Sequence, residues 1–205
     1  RLCRGLLINN PRARALFQTI DDSQETLYEK WRSMAARIPI DAVSHPAVWN
    51  NKKRLNNWGI ESFEELMERR RRANRELGDL LDSGRLIVRD QRSLPTVAYA
   101  HGLLEDMRMR FPDDPIYYFV DAFNDLGDVL GEDVKRRTGT ETASSTIKSI
   151  AQRLNIVPVF TAHYTKSGIP GIRPNNGNIK ETGALAYHAH IIMHVFNVLA
   201  EVPDH

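Results

Sequence analysis

The chain has 205 residues, a formal net charge of +2, 26% charged and 41% hydrophobic residues, and one cysteine. That length supports a single sizeable core. The small net charge excludes an argument for nucleic acid from bulk charge alone, and the lone Cys3 excludes an internal disulfide and suits a reducing compartment. No apolar run approaches the roughly 20 residues of a membrane-spanning helix, and no signal peptide is visible.

RLCRGLLINN (1–10) reads as the end of a helix, with Leu2, Leu6 and Leu7 on one face and Asn9-Asn10-Pro11 as its stop. This start inside a helix, and the close of the chain soon after the apolar run IIMHVFNVLA, lead to the expectation of a chain cut at both ends. ARALFQTIDDS (13–23) predicts a strand ending on Asp21 and Asp22. SQETLYEKWRSMAAR (23–37) predicts a helix with Ser23 as N-cap. Residues 39–60, with Pro39 and Pro46, read as irregular or partly helical. ESFEELMERRRRANRELGDLLDSG (61–84) is helical and stopped by Gly84. RLIVRD (85–90) is a short strand ending on Asp90, and residues 94–111 form a helix with Pro95 in its first turn.

IYYFVD (116–121) is the clearest strand. Its five apolar residues run without polar alternation, as in a strand buried on both faces, and it ends on Asp121. Residues 122–140 read as a polar loop carrying Lys135, Arg136 and Arg137, and 140–155 as a helix. IVPVFTAH (156–163) reads as another buried strand ending on His163, with Pro158 as an irregularity. A long Gly/Pro/Asn-rich loop (165–181) and a last strand (190–200) follow. Strands alternating with helices predict an α/β fold with a parallel sheet and right-handed crossovers, in one domain over residues 1–205.

Asp21-Asp22, Asp90, Asp121 and His163 each end a predicted strand, so a parallel sheet gathers them on one edge, where α/β proteins bind ligands. One carboxylate can hold a metal ion while another positions or deprotonates water.

These blocks, in this order, resemble the RecA-like ATPase core and, within it, the DnaB-type replicative helicases. ALFQTIDDSQETL (15–27) is similar to the core strand that ends on the acid activating the attacking water; the family usually has Glu where this chain has Asp21, then Asp22. PIYYFVDAFNDL (115–126) resembles the Walker B strand, and TASSTIKSIAQRLNIVPVFTAHYTK (142–166) the helix and strand before the sensor, usually Gln and here His163. NIKETGALAYHAHIIMHVF (178–196) resembles a later segment written as Arg, Ser-Gly and Asp-Ala-Asp; here stand Lys180, Thr182-Gly183 and His188-Ala189-His190.

The resemblance implies a RecA-like three-layer fold, a mainly parallel central sheet flanked by helices, incomplete at both ends. It implies ATP and Mg²⁺ as cofactors, with Mg²⁺ held partly through Asp121 by way of water. Asp21, with Asp22, would orient the attacking water; His163 would relay the state of the γ-phosphate; Lys180 would lie near the nucleotide or subunit edge. It implies single-stranded DNA as partner, contacted by loops carrying Lys135, Arg136, Arg137, Lys166 and Arg173, and self-association into a hexameric ring. It implies a cytoplasmic protein, bacterial or encoded by a phage or plasmid.

The departures are specific. The Gly-rich phosphate loop GxxxxGK[ST] is not in the sequence. In the family it immediately precedes the helix that residues 1–9 resemble, and the arginine finger follows the last core strand. The chain alone is therefore expected to bind ATP weakly and to hydrolyse it poorly, whereas the intact parent would be an ATP-dependent DNA helicase. The segment 44–84 is longer than the family leads one to expect and stands as a candidate helical insertion. The alternative reading is a RecA- or KaiC-like nucleotide- or nucleic-acid-binding regulatory module with impaired catalysis.

Two other features have readings of their own. RRRRANR (69–75) spreads around a helix that also carries Glu64, Glu65, Glu68 and Glu76, and reads as a solvated face laced with ion pairs. His188, His190 and His194 share one parity along the predicted last strand, and with Asp121 or His163 nearby would make a metal site; packing and hydrogen bonding is the favoured reading.

Overall fold

The computed structural model describes residues 1–93, 96–123, 136–162 and 187–194, with the backbone alone at 136–140. Among them, four strands form one parallel sheet: β1 (Arg14–Thr19), β2 (Leu86–Arg89), β3 (Ile116–Asp121) and β4 (Val157–Phe160), in the order β2-β1-β3-β4. The register sets Ala15 beside Leu86 and Tyr117, and Thr19 beside Asp121.

The unbroken apolar run of β3 is explained by helices on both faces. Ile116, Tyr118 and Val120 point into a core with Leu16 of β1, closed by α6 (Val97–Arg110) and α7 (Arg136–Leu154). Tyr117 and Phe119 point the other way, into a core with Ala15 and Val88. That second core is closed by α1 (Leu2–Asn9), α2 (Gln24–Ala36) and α5 (Phe63–Asp82). Phe17 stacks on Phe119 there, ring centroids 5.7 Å apart. The fold is the expected α/β three-layer sandwich.

The helices follow their sequence signals. Ser23 caps α2 by accepting the Thr26 N–H, and Ser62 caps α5 by accepting the Glu65 N–H. In α5, Leu66, Ala73, Leu77 and Leu80 are buried. Most of the arginine run is tied down: Arg69 to Glu65 at 2.6 Å, Arg71 and Arg75 to Glu68, and Arg70 to the Val43 carbonyl at 2.7 Å. Between α2 and α5 the chain makes α3 (Ile40–Ser44), a 3-10 turn (Pro46–Trp49) and α4 (Lys52–Asn56). These cover a third cluster around Val43, Trp49, Leu55 and Ile60.

Several expectations change. The strand expected over 13–23 ends at Thr19, so Asp21 and Asp22 lie in the turn after it, and the strand expected over 156–163 ends at Phe160. The helix expected over 94–111 starts at Val97 with Thr96 as its cap, because the Thr96 hydroxyl accepts the Tyr99 N–H; Pro95 lies outside the described residues. α7 starts at Arg136, so residues 136–140 are helix rather than loop. Residues 189–194 are irregular rather than strand, after a helical pair at 187–188. Pro158 is compatible with β4 because, among the described residues, β4 pairs on one side only, with β3.

The two edges of the sheet differ in chemistry. At the edge where strands begin, arginines saturate carbonyls. Arg85 donates to Leu7, Asn10 and Ala13, and Arg108 to Pro112 at 2.7 Å, Leu154 at 2.8 Å and Asn155 at 2.7 Å. At the other edge stand the carboxylates.

Candidate active site

The strand order marks a position before any side chain is considered. The chain leaves β1 toward β2 on one side and leaves β3 toward β4 on the other. Their crossover helices pack on opposite faces. The carboxyl ends of β1 and β3 therefore diverge into a crevice, the topological switch point at which open α/β sheets bind ligands.

Asp21, Asp22 and Asp121 lie there. The Ile20 N–H donates to the Asp121 carbonyl at 2.6 Å, which locks the end of β1 against the end of β3. Thr19 is wholly buried. Its hydroxyl accepts the Asp22 N–H at 3.1 Å and donates to the Asp22 carbonyl at 3.2 Å. This folds the two acids into a tight turn that leads straight into the Ser23 cap of α2.

The two acids of the turn differ. Asp21 is exposed. Asp22 lines a cleft of about 1120 Å³ together with Asp121, Lys30, Phe17 and the first turn of α1, and the cleft continues past Trp31 and Met34 to Ile38–Ile40 and Trp58. The Asp22 carboxylate is ion-paired with Lys30 Nζ at 2.5 Å. Asp121 accepts a hydrogen bond from the Thr161 hydroxyl. Thr161 follows β4; its N–H donates to Val120 at 3.0 Å and its carbonyl accepts from Phe123 at 2.9 Å. The Asp121 side chain is thus positioned by the strand that leads to His163. The Asp121–Ala122 peptide is cis.

Asp90 is spent on structure. Its side chain is 5% exposed and accepts from the Gln24 N–H at 3.0 Å and from the Arg92 guanidinium at 2.7 Å. The Arg92 hydrogen bonds, with that of Gln24, hold its carboxyl below the usual aspartate range. Burial pushes the Cys3 thiol up to about 12, which leaves it an unreactive core residue.

No cluster of three or more metal-ligating side chains occurs among the described residues. The histidine alternative loses its basis, because residues 189–194 are not a strand. His188 instead pairs through Nδ1 with the buried Ser144 of α7 at 2.6 Å. The crevice carboxylates do fit a magnesium ion, which is held by one or two carboxylates and otherwise by water and phosphate oxygens. His163, Lys135, Lys166, Arg173 and Lys180 lie outside the described residues, and Arg136 and Arg137 are known by their place in the first turn of α7.

Sequence reasoning missed Lys30 and Thr161. Lys30 stands eight residues past Asp22 and two turns into a helix that starts at Gln24, which brings it back over the acidic turn. Thr161 falls inside the run read as a strand over 156–163, but β4 ends at Phe160 and leaves its hydroxyl on Asp121.

No protein-family model matches the chain, and no curated protein matches its sequence. Two of the solved structures that share its fold illustrate the likeness. One is a DnaB-like replicative helicase, described with its interactions with primase: TM-score 0.70, 12% identity, covering 87% of this chain and 39% of that one. The other is described as an ATPase domain: TM-score 0.71, 13% identity, covering 91% of this chain and 60% of that one. The chain thus spans less than two thirds of either. At these identities the likeness shows the fold: a RecA-like α/β core of the type found in DnaB-like helicases.

Proposed function

We propose that this chain is the greater part of the motor core of a DnaB-like DNA helicase, coupling ATP hydrolysis to movement along single-stranded DNA. The observation that carries the reading is the pair of acids, Asp22 and Asp121, converging on one cleft at the switch point between β1 and β3. The fold shared with a helicase and with an ATPase domain supports it.

Asp121 would hold Mg²⁺ through water, and Thr161 fixes its carboxylate for that task. Bound Mg²⁺ would neutralise charge on the phosphates. Asp22 lines the cleft and is the better placed of the two acids to orient the attacking water, with Asp21 as its exposed neighbour. Water attack forms the new P–O bond as the bond to the leaving diphosphate breaks, and the carboxylate accepts the hydrogen bond of the water. His163 would sense the terminal phosphate, and Lys180 would stand at the nucleotide or subunit edge. Lys135, Arg136, Arg137, Lys166 and Arg173 would make sequence-independent contacts with the DNA backbone. Assembly into a hexameric ring in the bacterial cytoplasm, encoded by the bacterium or by a phage or plasmid, completes the reading, with 44–84 as an insertion.

The test is DNA-stimulated ATP hydrolysis by the protein carrying the phosphate loop that the resemblance places ahead of Arg1. Asp121→Asn and Asp22→Asn should each lower turnover by about 100-fold or more. Unchanged turnover in both rejects the assignment. Tight nucleotide binding with no turnover in the unmutated protein favours the regulatory module instead.

A further inference from the structure

Among the described residues, Lys30 is the cation whose partner in the cleft is itself a candidate catalytic acid. Its ammonium sits 2.5 Å from Asp22, and both line the cleft together with Asp121. The pair is half open to solvent, with side-chain exposures of 48% for Lys30 and 21% for Asp22. Of the other cations near α1 and α2, Arg4 forks onto Glu76 through two hydrogen bonds and Arg92 holds Asp90 and Glu25, while Arg1 and Arg37 also line the cleft.

An exposed ion pair of this kind contributes little to stability, so the pairing is easily exchanged. A nucleotide triphosphate entering the cleft brings more negative charge than one carboxylate, and a lysine ammonium on its flexible stem binds phosphate well. We propose that Lys30 is a phosphate-sensing residue that leaves Asp22 for the terminal phosphate when a nucleoside triphosphate binds. The exchange frees the Asp22 carboxylate to accept the hydrogen bond of the attacking water. With a diphosphate the terminal position is empty, and Lys30 stays on Asp22. The backbone of Asp22 does not need to move, because Thr19 holds it from below. This inference rests on the nucleotide-binding reading of the crevice.

The test is titration of the chain with Mg-ATP and with Mg-ADP, followed by tryptophan fluorescence, since Trp31 and Trp58 line the same cleft. Lys30→Met should weaken Mg-ATP by about tenfold relative to Mg-ADP, the size of one charge-assisted hydrogen bond, and Lys30→Arg should restore most of the preference. A purely structural lysine would weaken both nucleotides alike. Equal weakening, or no change, in Lys30→Met overturns the inference while Asp121→Asn still tests the crevice on its own. Failure of the unmutated chain to bind either nucleotide at millimolar concentration overturns the crevice reading and this inference together. The exposure of Lys30 makes the variant tolerable to the fold, and a melting curve checks this.

Discussion

Asp90 and Asp22 follow neighbouring strands and carry the same carboxyl group, yet their surroundings set them to different tasks. Asp90 is buried against the first turn of α2 and clamped by Arg92, so it joins β2 to α2. Its carboxyl lies below the ordinary value of 3.8, chiefly through the Arg92 hydrogen bonds. A lowered folded value means stability that is present above the unfolded value and is lost as pH falls through the folded one. Asp90→Asn should cost about 1 kcal/mol at neutral pH, allowing for screening of the exposed Arg92. In urea unfolding the difference from the parent should shrink as pH falls below about 4. A difference that stays constant to low pH contradicts this role. Asp22 has a partner that is free to leave, Lys30, and no such clamp.

Among the elements, α5 shows how much of the fold the sequence carried. Its helical run and its stop at Gly84 were legible because helical spacing and a left-handed residue are local signals. Gly84 has φ of +64°, with open space where a Cβ would stand. Gly84→Ala should therefore cost about 1 kcal/mol through backbone strain alone. Gly78→Ala, inside α5 and equally unobstructed, should instead stabilise by about 0.5–1 kcal/mol. Thermal melts check the opposite signs, and the same sign for both sinks the argument. The early start of α7 was not legible, since Lys135-Arg136-Arg137-Thr138-Gly139 is polar and holds no apolar period to mark a helix. The strand expected over 190–200 failed over its described part for a related reason: an apolar run alone does not fix strand over other structure without a partner. The two acids after β1 could be placed on an edge, but not told apart. Only the Thr19 turn and the reach of Lys30 decide which faces the cleft.

At the scale of the molecule, the sheet has one edge closed by arginines on carbonyls and one edge carrying acids beside a cleft. That division separates stability from chemistry along a single axis of the strands. Because the phosphate loop is not in the sequence, ATP affinity of this chain should be weak; submicromolar binding would contradict that expectation. Weak binding still has an address. The most direct measurement is an amide NMR titration with Mg-ATP. The account predicts shift changes concentrated at Ile20–Ser23, at Val120–Phe123 and around Lys30, with the arginine-closed edge at Arg85 and Arg108 unaffected. Changes confined to that opposite edge, or none at millimolar nucleotide, would contradict it.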